Sequence, residues 1–252
     1  MPIIAQYPFS EGSGTVAHDT SGGSHDLTLA RPSWTTGHTD NAIDTGGSSA
    51  DPIATGAIPA NSGGAWTVMG WFSAAGSPEP LQLLTIVAGD SLRAEILAAP
   101  ASSHTYVRLY ASDGSTQWYS GANDPGTNWS QVNHVAFTVE PGATLTIYIN
   151  GTANTPFTSS SDVALDDWDT IRLGGQSGRF ASPASGWVDD LRIFNETLTA
   201  DDIATYMNTP VPPYEASTVT NKIRIGGNQP SGFRIGSTAV NAIYLGSTLI
   251  YG

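Results

Sequence analysis

Most of the large apolar residues lie in short alternating runs, which are separated by Gly, Ser, Thr, Asn, Asp and Pro. A period of two is typical of strands that bury one face, so the pattern favours β structure over α. The Asn150-Gly151 pair directly after one run predicts a hairpin turn, because a type I′ turn needs positive φ at both central residues. Strands are expected at residues 3–9, 65–74, 81–88, 92–97, 105–111, 132–139, 144–149, 170–173 and 188–194.

One helix is expected over Ala200–Met207. Thr199 can cap its N-terminus, while Asp201 and Asp202 meet the positive end of the helix dipole. Three prolines and a Ser/Thr-rich stretch follow the helix, and they predict an extended linker over residues 209–221. Residues 1–208 are therefore expected to form one β-sandwich domain.

Residues 222–252 repeat themselves with a period of ten. Each unit predicts one short strand and a turn, which cannot bury an apolar face alone, so the segment is expected to stack on itself or on a partner. Residues 216–252 also contain three basic residues and no Asp or Glu. The candidate anchor or oligomerisation residues are Ile223, Ile225, Phe233, Ile235, Ile243, Tyr244 and Leu245.

Charge and composition narrow the classes of partner. The 252-residue chain has a net charge of -13, which argues against nucleic acid because phosphate binding relies on clustered Lys and Arg. No stretch approaches the length of a membrane span, and the N-terminus has no signal-peptide pattern, so synthesis in the cytoplasm is expected. The absence of cysteine excludes disulfides and cysteine zinc sites.

Three segments carry a family resemblance. Residues 7–14 (YPFSEGSG) with 19–22 (DTSG), residues 129–138 (WSQVNHVAFT), and residues 186–203 (GWVDDLRIFNETLTADDI) resemble laminin-G-like, concanavalin A-like domains. The resemblance implies an all-β fold over about residues 5–207. This would be a two-sheet antiparallel jelly-roll sandwich with one short C-terminal helix, followed here by a small C-terminal β-repeat. It also implies carbohydrate or protein binding. Residues 242–252 resemble short tails of tailed-phage virion proteins.

The same resemblance implies one structural calcium ion. Asp19 lies in a Gly/Ser turn near the chain start and Asp189-Asp190 lies near the sandwich end, and the terminal strands pair in this family. Calcium prefers six to eight oxygen ligands, which these carboxylates are placed to supply if they converge. In the alternative reading, Asp19 makes an Asx turn and Asp190 accepts a backbone hydrogen bond.

No catalytic constellation is present in the sequence. A glycosidase needs two carboxylates facing across a sugar, and none of the six Glu residues has a second carboxylate two positions away along a predicted strand. The five histidines show no hydrolase or metal-ligand spacing. The chain is therefore expected not to be an enzyme.

Aromatic side chains in loops are the candidates for stacking on a glycan. Trp66, Trp71 and Trp129 lie in apolar runs and are expected in the core, whereas other aromatic residues are set among polar ones. For Trp118, the alternative is that its side chain forms a lid packed over the edge of the sandwich. The glycan candidates are Trp118, Tyr119, Trp34 and Trp168.

Together these patterns predict a non-catalytic phage virion protein, a minor tail or tail-tip/fibre component. Its lectin-like domain would bind host-surface glycans, and residues 222–252 would attach it to other virion proteins or to copies of itself. One alternative is a capsid decoration protein without a glycan ligand. The other is an accessory carbohydrate-binding module or a polysaccharide-processing enzyme.

Overall fold

The computed structural model describes residues 3–46, 52–74, 81–111, 116–117, 127–142, 144–158, 163–174, 186–215, 233–235, 238–240, 243–245 and 248–251. The chain divides into two compact units, Met1–Tyr214 and Glu215–Gly252. None of the helices in these ranges is long and apolar enough to cross a membrane.

Short strands dominate the first unit. They are β1 Ile3–Tyr7, β2 Val16–Ala17, β3 Leu27–Leu29, β4 Trp34–Thr36, β5 Asn41–Asp44, β6 Ala54–Ala57, β7 Trp66–Ser73, β8 Leu81–Ala88, β9 Ser91–Ala99, β10 His104–Tyr110, β11 Thr116–Gln117, β12 Asn133–Glu140, β13 Thr144–Ile149, β14 Thr152–Ala153, β15 Phe157–Thr158, β16 Thr170–Leu173 and β17 Trp187–Phe194. A 3-10 turn spans Pro100–Ser102 and the helix α1 spans Ala200–Met207.

These strands form two antiparallel sheets. In the described residues, the nine-stranded sheet runs β14-β13-β12-β7-β17-β5-β4, with β1 also paired to β17 and β15 to β13. The eight-stranded sheet runs β11-β10-β9-β8-β16-β6-β3-β2. The predicted all-β, two-sheet antiparallel sandwich with one short helix is confirmed, and its first and last strands pair as the sequence resemblance implied.

One apolar cluster contains side chains from both sheets. In β7 the inward positions are Trp66, Val68 and Phe72, and in β12 they include Val135 and Phe137. Within each strand, neighbouring core residues are two or four positions apart, because successive side chains of a strand point to opposite faces. This cluster is the core that joins the sheets.

The prediction that Trp168 lies in an exposed loop is wrong. Its side chain is fully buried and stacks on Trp66 with ring centroids 4.8 Å apart. Its indole N–H donates to the Ala164 carbonyl at 2.8 Å. The loop folds inward because the apolar residues before it, including Leu165, are buried as well. Trp168 therefore fills the core and presents no face to a glycan.

The helix α1 has the bounds that the sequence predicts. The Thr199 hydroxyl accepts from the Asp202 N–H at 3.2 Å, and the Asp202 carboxylate accepts from the Thr199 N–H at 3.1 Å, so a capping box begins the helix. Ile203 packs in a second apolar cluster with Met69 and Phe194. The helix thus covers part of the outer face of the nine-stranded sheet.

Residues 209–214 form a strap on the sandwich instead of the start of a linker. Val211 is buried and its N–H donates to the Asp190 carboxylate at 3.0 Å. The Tyr214 N–H donates to the Ser10 hydroxyl at 2.9 Å, and its ring stacks on His18 at 3.8 Å. The first unit therefore extends to residue 214. The prolines of this segment predict a free linker, whereas these contacts hold it on the sandwich.

The second unit contains two hairpins within the part of the chain that the structure describes. Strands β18 Phe233–Ile235 and β19 Thr238–Val240 pair, as do β20 Ile243–Leu245 and β21 Thr248–Tyr251. The two hairpins begin ten residues apart. Each of these ten-residue units contains two short strands, whereas the sequence predicted one strand and a turn. Ile223 and Ile225 lie outside the described residues. The anchoring role of this segment stays a prediction.

Candidate functional site

Trp71 lies on the outer face of the nine-stranded sheet. Trp66, Val68 and Phe72 of the same strand enter the core, so Trp71 points the other way and is half-buried. The expectation that Trp71 belongs to the core is wrong. Trp66 and Trp71 are five positions apart, and an odd spacing places two strand side chains on opposite faces. Trp66 and Trp129 are buried, as expected.

Two histidine rings contact the Trp71 indole. His38, exposed in the turn between β4 and β5, stacks on it with centroids 3.7 Å apart and planes 8° apart. His134 lies opposite Trp71 in the register of β12 and β7, and the two rings are T-shaped, with centroids 5.3 Å apart and planes 70° apart. The three rings bring together positions that are far apart in the sequence.

Trp187 adds a second indole to this face. Its register partners are Ser73 of β7 and Asp44 of β5, while Trp71 pairs with Asp189. Trp71 and Trp187 are therefore diagonal neighbours on one face, at a spacing that large side chains can bridge. Trp187 is half-buried. His38, Trp71, His134 and Trp187 are called the Trp71 patch below.

The Asp189 carboxylate holds the turn that carries His38. One oxygen accepts from the His38 N–H at 2.8 Å and the Thr39 N–H at 3.0 Å, and the other accepts from the Asp190 N–H at 2.8 Å. A Cβ added at Gly37 would lie 2.5 Å from this carboxylate, so the turn approaches as only glycine allows. Burial raises the pKa of Asp189 to about 7, against the opposing effect of these amide hydrogen bonds.

Asp190 joins the same turn to the strap. Its carboxylate accepts from the Thr39 hydroxyl at 2.9 Å and from the Val211 N–H at 3.0 Å. Its backbone is left-handed, with φ of 47°, at an irregularity in the pairing of β17 with β7. Burial raises the pKa of Asp190. Consecutive aspartates thus fix the turn from two sides, which positions His38 over Trp71.

Arg192 lies on the same outer sheet face as the patch, opposite Met69 of β7. The Arg192 guanidinium is buried and donates to the carbonyls of Tyr206, at 3.0 Å, and Thr209. Burial, with a contribution from Arg192, lowers the pKa of His134 to about 3, so this imidazole is neutral at pH 7. The guanidinium is thus directed toward the helix end and the strap.

The three predicted calcium ligands already accept amide hydrogen bonds. Asp19 accepts from the N–H groups of Gln6, Ser21 and His25 at 2.8 to 3.0 Å, which is the Asx-turn alternative. The residues that the structure describes contain no group of three or more His, Asp or Glu placed to hold a metal ion. Asp19 therefore does not join Asp189 and Asp190 in such a group. Calcium stays a prediction, which a melting temperature measured with and without chelator tests.

The remaining glycan candidates are less favourably placed or not described. Trp34 is half-buried on the edge strand β4, where it packs against the core and donates its indole N–H to the Gly14 carbonyl at 3.0 Å. Trp118 and Tyr119 lie outside the described residues. Sequence reasoning missed Trp71 and Trp187, although the odd spacing of Trp66 and Trp71 in one strand would have placed the two indoles on opposite faces.

The eight-stranded sheet carries a buried polar network on its outer face. The fully buried Glu95 carboxylate accepts from Gln82 at 2.6 Å, from Arg108 at 3.0 Å and from the Tyr110 hydroxyl. Arg93 pairs with Asp167 at 2.7 Å. Both Glu95 oxygens are occupied by donors, so this carboxylate serves the packing of the sheet.

Comparison with known proteins shows a family. The laminin-G-type model of the concanavalin A-like lectin/glucanases superfamily matches residues 45–204. A curated human protein, adhesion G-protein coupled receptor D1, is 30% identical over 108 residues. That match covers 42% of this chain and 12% of the receptor, so the chain spans a small part of that protein.

Solved structures with a similar fold include the binding domain of Paraclostridial Mosquitocidal Protein 1 (TM-score 0.59, 13% identity, 82% of this chain and 52% of that one). The binding domain of botulinum neurotoxin DC in complex with rat synaptotagmin II has a TM-score of 0.62 at 16% identity, over 88% of this chain and 53% of that one. The ligand binding domain of serotype D in complex with N-acetylneuraminic acid has a TM-score of 0.60 at 16% identity, over 82% and 51%. At these identities the likeness is one of fold.

Proposed function

This chain belongs to the concanavalin A-like lectin/glucanases superfamily, and from that premise we propose that its sandwich binds a carbohydrate through the Trp71 patch. The observation that carries the proposal is a half-buried indole on the outer sheet face, with an exposed imidazole stacked on it. Sugars bind where an aromatic surface lies beside hydrogen-bonding groups. Thr39, Asp40 and Asp44 supply such groups around the rings.

The described surface favours a polar ligand over an apolar protein partner. Among the described residues, Val132 is the one large hydrophobic side chain that is exposed. Protein-docking faces commonly present larger contiguous apolar patches. A glycan, which combines hydroxyls with small apolar faces, suits the patch better. The proposed role is non-catalytic, and the full donor set around Glu95 supports this.

We further propose that the protein is part of a phage virion, as a minor tail or tail-tip/fibre component that adheres to host-surface glycans. Its support is the division of the chain into a lectin-like unit and a separate unit of paired short strands. Exposed strand edges can pair with a neighbour's sheet or with copies of the same chain. Residues 215–252 would therefore attach the sandwich to other virion proteins or to its own copies.

A glycan array probed with the purified full chain tests the binding role. We expect the wild-type signal to be lost in Trp71→Ala and kept in Trp34→Ala and in the double variant Trp118→Ala, Tyr119→Ala. Loss of the signal in the double variant alone would instead assign the site to residues 118–119. No signal from wild-type protein on any glycan would contradict the adhesion role and favour the decoration alternative.

Deletion of residues 216–252 tests the anchor. Because the sandwich unit ends at Tyr214, the shortened chain is expected to fold but to be missing from purified particles. Occupancy is measured by quantitative mass spectrometry of the particles, with the full-length protein as the reference. Full occupancy by the shortened chain would contradict the anchoring role.

A further inference from the structure

Carboxylates border the Trp71 patch on several sides. Asp40 is exposed in the turn that carries His38, and Asp44 lies opposite Trp187. The Asp189 carboxylate accepts from the backbone of this turn, and the Asp190 carboxylate accepts from the Thr39 hydroxyl. Each of these groups accepts hydrogen bonds when ionised, and none of them donates.

Among the described residues, the buried Arg192 guanidinium lies near His134 and donates to groups outside the patch. Arg192 contributes to the lowered pKa of His134, so the two side chains are close. The guanidinium nevertheless donates to the Tyr206 and Thr209 carbonyls on the side of the helix and the strap. Arg192 therefore does not direct its donors at the patch, and His134 is neutral at pH 7.

We infer that the Trp71 patch selects uncharged sugars and rejects sugars that carry a carboxylate, an inference that rests on the proposed glycan-binding function. Hydroxyls of a neutral sugar can donate to the exposed Asp40 carboxylate, and a hydrogen bond to a charged group is stronger than one between neutral groups. A carboxylate on a sugar would instead be repelled, because it has the same charge as the ionised aspartates around the patch. A chain with a net charge of -13 also repels anions at longer range.

Matched glycans test this inference. The full chain is titrated with desialylated glycans and with their sialylated counterparts, which differ by a terminal carboxylated sugar. We expect the neutral member of each pair to bind at least about tenfold tighter at low salt. The ratio should shrink in about 0.5 M salt, because screening weakens repulsion between exposed charges.

Asp40→Asn removes one exposed charge from the border of the patch. We expect it to weaken binding of the neutral glycan and to narrow the ratio between the two glycans by about threefold. Asp201→Asn is the matched control, because Asp201 is an exposed aspartate on α1 and makes the same change in net charge. It should leave the ratio unchanged.

The outcomes separate the inference from the function beneath it. Binding of sialylated glycans as tightly as, or more tightly than, their neutral counterparts would overturn the charge selection and leave glycan binding standing. Failure to bind either member of every pair would overturn both. An equal narrowing of the ratio by Asp201→Asn would show a net-charge effect and remove the role of Asp40.

Discussion

At the scale of single residues, the buried aspartate under the turn makes the structure sensitive to pH. The native pKa of Asp189 is about 7, whereas its ordinary value is 3.8. Between these values the native state keeps a proton that the unfolded chain has lost. The contribution of Asp189 to the free energy of unfolding is therefore largest at acid pH and falls as pH rises from 3.8 to about 7.

Asp189→Asn should reduce the fall in unfolding free energy between acid and neutral pH, because an amide does not titrate. Urea unfolding at about pH 4.5 and pH 7.5 measures the effect, with the wild type losing more stability across the interval than the variant. Asp166→Asn, at an exposed position, is the control and should follow the wild type. Equal slopes for the wild type and Asp189→Asn would contradict the raised pKa.

Glu95 is the residue whose loss should cost the sandwich most. Glu95→Ala removes the carboxylate that pairs with buried Arg108, and breaking a buried ion pair costs about 3 to 5 kcal/mol of unfolding free energy. Glu140→Ala, at an exposed position at the end of β12, should change stability by less than about 0.5 kcal/mol. Urea midpoints of the two variants compare them, and similar midpoints would show that the network adds little.

At the scale of elements, the strap is the part of the first unit that the sequence least suggests. A chain ending at Asn208 loses the buried Val211 and the Tyr214 stack, so it should be less stable than a chain ending at Tyr214 by about 2 kcal/mol. The chain ending at Tyr214 is the control. Equal unfolding free energies would return the domain boundary to residue 208.

Local pattern predicted the longer strands and the helix, because turn-forming residues set their ends, but it predicted none of the short strands β2 to β6. The strands at 81–88, 144–149 and 170–173 and the helix at 200–207 have the predicted bounds. Contacts between distant segments were beyond such reasoning. Nothing local in the sequence shows that His38 stacks on Trp71, or that Asp189 binds a turn 150 residues away.

At the scale of the whole molecule, the two units divide the proposed work. The sandwich holds its own core, capped helix and strap, so we expect the proposed ligand binding to require only Met1–Tyr214. The hairpins of Glu215–Gly252 supply short strands that gain from pairing with a partner. This division predicts that adhesion and attachment can be removed separately by changes in different parts of the chain.

The affinity of the Trp71→Ala variant for the strongest glycan on the array tests the central claim most directly. With Kd measured by calorimetry, the patch predicts at least about tenfold weaker binding, because loss of an aromatic stacking partner costs about 1.4 kcal/mol or more. The variant should still fold and unfold cooperatively, since Trp71 lies outside the core. A Kd within about twofold of the wild-type value, with the same fold, would contradict the account.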